Sequence, residues 1–323
     1  MSTHRPNLRR VLSDTWRLIT AQPRHFSTLS ILFLLPNYSL SAITYTFLSL
    51  HPTSHLLSGR ITIPILYAVF VLVFGICAKA SITHSTFRGF YGKPGVLISS
   101  LDSIRVSFLP LLATHLTAKI TQGLIVLGFG NSVRLTYEGL RLLSGQPLEI
   151  HRVYFLVLVF VTVLNLLIAA FLAAAMIYFI FRWYVATPVV VAESQWGFPP
   201  LKRSGFLVHE AKRVVFSMMF FFGILFGVSW IWCWNLVAIV RRNSTVRWEY
   251  FVVQMIFCVG FWTILSLYSM AATTVLFIHC KAALHGGVEM VTAFQIDLED
   301  DGGDDVDEEE ELGRKIYVRL PFH

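Results

Sequence analysis

His115, Lys119 and Gln122 stand four and three residues apart inside an apolar stretch of the chain. That spacing puts an imidazole, an ammonium and a carboxamide on one face of a helix. An ionisable group deep among apolar residues is costly to keep there, and it marks a functional site by default. Lys119 lies thirteen residues into the run from Val106 to Phe129, near its middle, and Asn165 sits at comparable depth in the run from Val153 to Phe181. These four residues form a candidate intramembrane polar face. Two readings follow: the face lines a solute or ion path, or it is interhelical glue with Lys119 reaching out toward the headgroups.

Other chemistry finds little footing. No acid occurs within any of the apolar runs, so a carboxylate proton relay lacks its usual parts. Neither a Walker loop, nor HExxH, nor GxSxG, nor a CxxC pair is present. His51 and His55 have metal-like spacing, but Pro52 stands between them. The expectation is a protein that is not an enzyme and has no cofactor and no metal site. Cys77, Cys233, Cys258 and Cys280 all fall in or at the ends of apolar runs, as packing residues rather than a disulfide framework.

The elements that must position the polar face come from composition. Hydrophobic residues make up 55% of the 323 positions, only 14% are charged, and mean hydropathy is +0.64. A bilayer core about 30 Å thick needs roughly 20 mainly apolar residues per helix. Six stretches qualify: residues 27–50, 61–83, 106–129, 153–181, 214–240 and 251–279. The fold class expected is therefore all-α, a polytopic membrane helix bundle of about six transmembrane helices. Pro36-Asn37 in the first should mark a kink.

Short segments of helical periodicity precede each odd-numbered span. They carry Leu8, Val11, Leu12, Trp16 and Ile19; then Leu97, Leu101, Ile104 and Phe108; then Leu201, Phe206 and Leu207, each set amid charged residues. Such amphipathic helices favour the plane of the membrane interface, basic side toward anionic lipid. The order of amphipathic helix, span out and span back occurs three times, as a threefold repeat or as any six-span protein with basic inner loops would show it. Three regions result: a cytosolic amphipathic arm at 1–26, a six-span domain at 27–285, and an acidic tail at 286–323.

Charge gives the orientation. Seventeen lysines and arginines lie in the N-terminal arm, the loops at 84–105 and 182–213, and the part from Lys281 on, against seven in the alternating loops. Positive residues concentrate in cytoplasmic loops, so both termini should be cytosolic. Lys79 and His279 then fall near cytosolic span ends. Asn243 heads an NST glycosylation sequon in a short loop on the far side. Residues 297–323 hold eleven acids against three basic residues, a disordered, solvated block open to a basic protein partner. The remaining basic charge needs no nucleic acid, since the bilayer and its anionic inner-leaflet lipids account for it.

One further stretch, "VVVAESQWGFPPLKRSGFLVHEAKR" at 189–213, joins two apolar runs. Pro199 and Pro200 suit the first turn of a helix, the chain should turn at Gly197, and Glu193 is near enough in sequence to pair with Arg203. Such a pair could be a lipid-headgroup site or a structural clasp fixing the bend. The order "RWYVATPVVVAE", Gly197, "LKRSGFLV" resembles the signature of the YciC-like and glycerophosphodiester-phosphodiesterase-associated membrane domains. The signature falls on Pro188, Glu193, Gly197, Leu201, Arg203, Ser204 and Leu207. The segments "VLSDTWRLITAQPRHFSTLSILFLLP" and "FRGFYGKPGVLISSLDSI" look like those of uncharacterised six-span plant members. Pro199-Pro200 and His209-Glu210 depart from that pattern, and the resemblance, over roughly residues 8–285, transfers no reaction. Taken together, the residues point to an endomembrane or plasma-membrane protein that organises lipids or partner proteins through its cytosolic interfacial helices and acidic tail, with a small-solute or lipid transporter using the Lys119 face as the alternative.

Overall fold

The computed structural model describes residues 7–50, 57–92, 96–143, 151–242 and 248–284. Asn243, His51, His55 and the acidic tail lie outside them. The described residues contain helices and no strand: α1 (Leu8–Ala21), α2 (Pro23–Leu29), α3 (Leu35–Leu50), α4 (Leu57–Phe90), α5 (Leu97–Leu143), α6 (His151–Arg182), α7 (Ala186–Glu193), α8 (Phe198–Glu210), α9 (Lys212–Arg242) and α10 (Trp248–Leu284). Six helical stretches are long and apolar enough to cross a membrane: Pro23–Thr44, Ile65–Phe90, Leu97–Glu138, Val159–Glu193, Lys212–Asn235 and Glu249–Ala283. The chain is an all-α, multi-pass membrane bundle.

Prolines shape α3 and α5. Pro36 has no N–H to give to the Leu32 carbonyl, and the backbone widens there into a π-helical turn, Ser30–Leu34, that joins α2 to α3 as one span. Pro110 stands inside α5, whose 47 residues make it roughly 70 Å long at 1.5 Å per residue. This helix corrects one expectation. The segment from Leu97 to Phe108 is no separate interfacial helix but the first turns of α5, because a proline costs one carbonyl partner and nothing else interrupts the helical run. The fourth span breaks at Trp183–Val185 and resumes as α7.

Large apolar side chains face outward along α4 between Ile65 and Val73, along α6 between Leu156 and Ile180, along α9 between Phe216 and Trp234, and along α10 between Tyr250 and Ile264. Beyond these bands the character changes. On α4 the residues Ile76, Ala78, Ala80, Ser81, Ile82, Thr83, Ser85 and Thr86 are buried, and on α10 so are most positions from Leu265 to Cys280. The short helices α1, α2, α7 and α8 gather at this end and cover both. Where the alternative is water, each buried Leu, Ile or Phe there contributes about 1.5–3 kcal/mol.

The apolar stripe of α1 is therefore spent on protein. Val11, Thr15 and Leu18 are buried against α4 and α10, the Tyr268 hydroxyl donates to the Leu12 carbonyl at 2.6 Å, and His279 Nε2 lies 3.1 Å from Asp14 Oδ2. Trp16, expected on that stripe, points outward at 62% exposure. Likewise α8 buries Leu201 and Leu207 while Phe206 faces out, as do Trp196 and Phe198. His279, expected at an interface, is thus a tether between α10 and α1.

Candidate functional site

A cavity of about 370 Å³ opens between α4, α5, the α6–α7 break, α9 and α10. Each wall follows from a helical face. On α4, Ile76, Lys79 and Thr83 recur at spacings of three and four; on α5, Leu111, Thr114, His115, Ala118, Lys119 and Gln122 do the same. From α10 come Ser266, Ser269 and Thr273, and the α6–α7 break adds Trp183, Tyr184 and Thr187. These residues share the cavity with Lys79 and Lys119.

Three of the four residues expected on the polar face, His115, Lys119 and Gln122, line this cavity. Lys79 Nζ lies 3.5 Å from His115 Nδ1, and Lys119 Nζ donates to Gln122 Oε1 at 3.3 Å. Lys119 is exposed, so the cavity reaches the bundle surface beside it. Asn165 is not brought in. Its Nδ2 donates to the Val161 carbonyl one turn back on its own helix at 2.9 Å, a local bond that uses no partner helix. Lys79, expected near a cytosolic span end, packs against α5. Its own stripe with Ile76 and Thr83 was the available signal.

Charge in the cavity is of one sign. Lys79, His115 and Lys119 stand among hydroxyls from Thr83, Thr114, Thr187, Ser266, Ser269 and Thr273, and no carboxylate is among the lining residues. Two ammonium groups so placed repel each other and call for a counter-anion. In depth, Lys79, Trp183 and Ser266 each follow directly on the ends of the outward apolar bands of their helices, which close at Val73, Ile180 and Ile264.

The bend at 193–204 abuts the same site. Ser194 ends α7 at φ 49°, and Gly197 opens α8 at φ +69°, a conformation that L side chains rarely adopt. The Gly197 N–H donates to Thr114 Oγ1 at 3.0 Å, which ties the bend to the cavity wall. Glu193 Oε2 and Arg203 Nε meet at 2.8 Å, with the Glu193 side chain only 2% exposed and Arg203 39%. Ser204 Oγ donates to the Arg182 carbonyl at 2.9 Å, so the residue caps the end of α6. Gly205 permits close approach, since a Cβ there would overlap the Arg182 side chain.

All four cysteines are free thiols, and among the described residues no three His, Cys, Asp or Glu groups gather as a metal set. No family model, curated protein or solved structure matches the chain.

Proposed function

We propose that this multi-pass membrane protein takes the anionic group of a small amphiphile into the cavity between α4, α5 and α10, as a lipid-handling protein of the transporter kind. The observation that carries the reading is the pairing of Lys79 and Lys119 in a hydroxyl-lined cavity with no carboxylate among its lining residues. Such a set recognises a carboxylate or phosphate: lysines supply charge, hydroxyls supply neutral donors, and neither competes as an anion. The volume lies at the small end of the range of about 300–1,000 Å³ usual for small-molecule sites, enough for a headgroup but not for whole acyl chains. The opening at Lys119 gives those chains a way out to lipid. With both termini cytosolic, as the distribution of basic residues favours, the cavity faces the anionic inner leaflet.

The test is a titration of protein in nanodiscs with short-chain anionic and zwitterionic lipids. A charge-assisted hydrogen bond is worth about 1.5–3 kcal/mol. Lys79→Leu should thus weaken anionic-lipid binding about tenfold or more and leave zwitterionic binding as it is. Equal affinity in wild type, Lys79→Leu and Lys119→Leu proteins would sink the proposal and return the polar face to interhelical glue, as in a scaffold.

A further inference from the structure

The end of the bundle that the short helices cover carries exposed positive charge. Arg9, Arg10 and Arg17 on α1, and Lys212 and Arg213 at the start of α9, all face outward. Their apolar neighbours explain why they share one end: Val11 and Val215 are buried in the same cluster, with Leu8, Leu12 and Val214 packed against it. Few acids answer this charge. Asp14 lies against His279, with Arg10 at 3.9 Å, and Glu210 lies 3.8 Å from His209. Among the described residues no ion pair holds Arg9, Arg17, Lys212 or Arg213.

The chain supplies the opposite charge from the same end. Cys280 of α10 is buried in that cluster, and α10 ends four residues on, at Leu284. The next twelve residues, 285–296, lead to the block 297–311, which holds all eleven acids of residues 297–323 and no lysine or arginine. Twelve residues reach up to roughly 40 Å, whereas packed helix axes lie only about 8–10 Å apart. The block therefore begins within reach of the α1 and α9 charges, whichever way the bundle sits in the membrane. A tether of that length holds it at an effective concentration of about a millimolar. Because the apolar stripe of α1 is spent on protein, what this surface offers a partner is charge.

We infer that the acidic block at 297–311 docks on the basic surface of α1 and α9 in its own chain. Exposed ion pairs are weak one by one, so the docking draws on their number and on the tether. Docked, the block withholds Arg9, Arg10, Lys212 and Arg213 from anionic lipid, the other polyanion such a surface would meet. A contact made of exposed charges is screened by salt, and that sets its signature. The inference is independent of the Lys79 and Lys119 cavity.

The test is zero-length cross-linking of the full chain in nanodiscs of phosphatidylcholine. A carbodiimide joins a carboxylate to an amine only where the two touch, and mass spectrometry reads the joined peptides. The expected product links Lys212 to an acid of 297–311 at low salt, and in a mixture of light and isotope-labelled protein it carries one label throughout. Its yield should fall several-fold at about 1 M salt, where the Debye length is about 3 Å, and again in the Arg9→Glu, Arg213→Glu double variant, whose changes lie on exposed positions. Absence of the Lys212 product overturns the inference, as does a yield unaltered by salt and by the double variant. Products of mixed label overturn it in favour of a second copy's tail. Loss of the product when phosphatidylserine is added to the nanodisc overturns it in favour of the membrane as occupant.

Discussion

Substituting Arg203 and Glu193 separately should give unequal losses of stability, in an order fixed by their burial. The two charges meet at 2.8 Å, and at an effective dielectric of about 20 such a pair gains on the order of 6 kcal/mol in Coulomb energy before desolvation is subtracted. Removing one partner of a buried pair costs about 3–5 kcal/mol, because the other is left charged without compensation. Arg203→Gln leaves the carboxylate that is 2% exposed. The loss should nevertheless fall to about 2 kcal/mol, since Arg203 itself is 39% exposed and Lys281 also acts on the pair by charge. Glu193→Gln leaves the partly solvated guanidinium and keeps the carbonyl oxygen as an acceptor, so about 1 kcal/mol should go. Equilibrium unfolding in mild detergent, titrated with a denaturing detergent and followed by circular dichroism, reads both values and the double variant. A Glu193→Gln protein less stable than Arg203→Gln, or two single losses that simply add in the double variant, would refute the reasoning.

Gly197→Ala should destabilise by roughly 1–3 kcal/mol through backbone strain alone, because φ is +69° and no atom lies within 4 Å of the added methyl. Gly223→Ala meets equally open space inside α9 and should stabilise by up to about 1 kcal/mol, so the two glycines should shift the same unfolding curve in opposite directions. Tyr268→Phe loses the bond to the Leu12 carbonyl, costing about 1 kcal/mol, and should raise hydrogen exchange across Leu8–Ala21 several-fold without changing it in α6. Uniform exchange in α1 would show that His279 and Asp14 hold that helix without the tyrosine.

The six spans were legible because a bilayer imposes a length and a composition that few other demands imitate. The face of Lys119 was legible as well, since His115 and Gln122 repeat at helical spacing. For Lys79, counting residues from the end of a span gives depth along the axis. It does not say which neighbour covers that side, and α5 packs over it. Asn165 was misjudged for the opposite reason: an amide that can bond the carbonyl four residues back needs no partner across the bundle. The buried serines of α5 were not legible either. Ser100, Ser103 and Ser107 are buried at spacings of three and four, yet in sequence they look like the wet side of an interfacial helix. Leu101 and Val106 on that segment face outward instead, which is how a membrane helix hides hydroxyls and shows leucine.

The short helices carry the same lesson. Periodicity located α1 and α8, but not whether an apolar stripe would meet lipid or protein. Val11 and Leu207 went to protein because α4 and α10 offer apolar ends with no other cover, and Trp16 and Phe206 were left facing out. Outward aromatic residues at this level suit a membrane interface, where their rings favour the headgroup zone.

Native mass spectrometry of the protein released from its own membrane tests the basic cavity most directly, with wild type, Lys79→Leu and Lys119→Leu measured side by side. The account predicts a bound anionic lipid on the wild-type protein that is depleted about tenfold or more in each variant, while the variants unfold at nearly the wild-type detergent concentration. A wild-type protein that carries no anionic lipid, or carries one retained equally by both lysine variants, would contradict it.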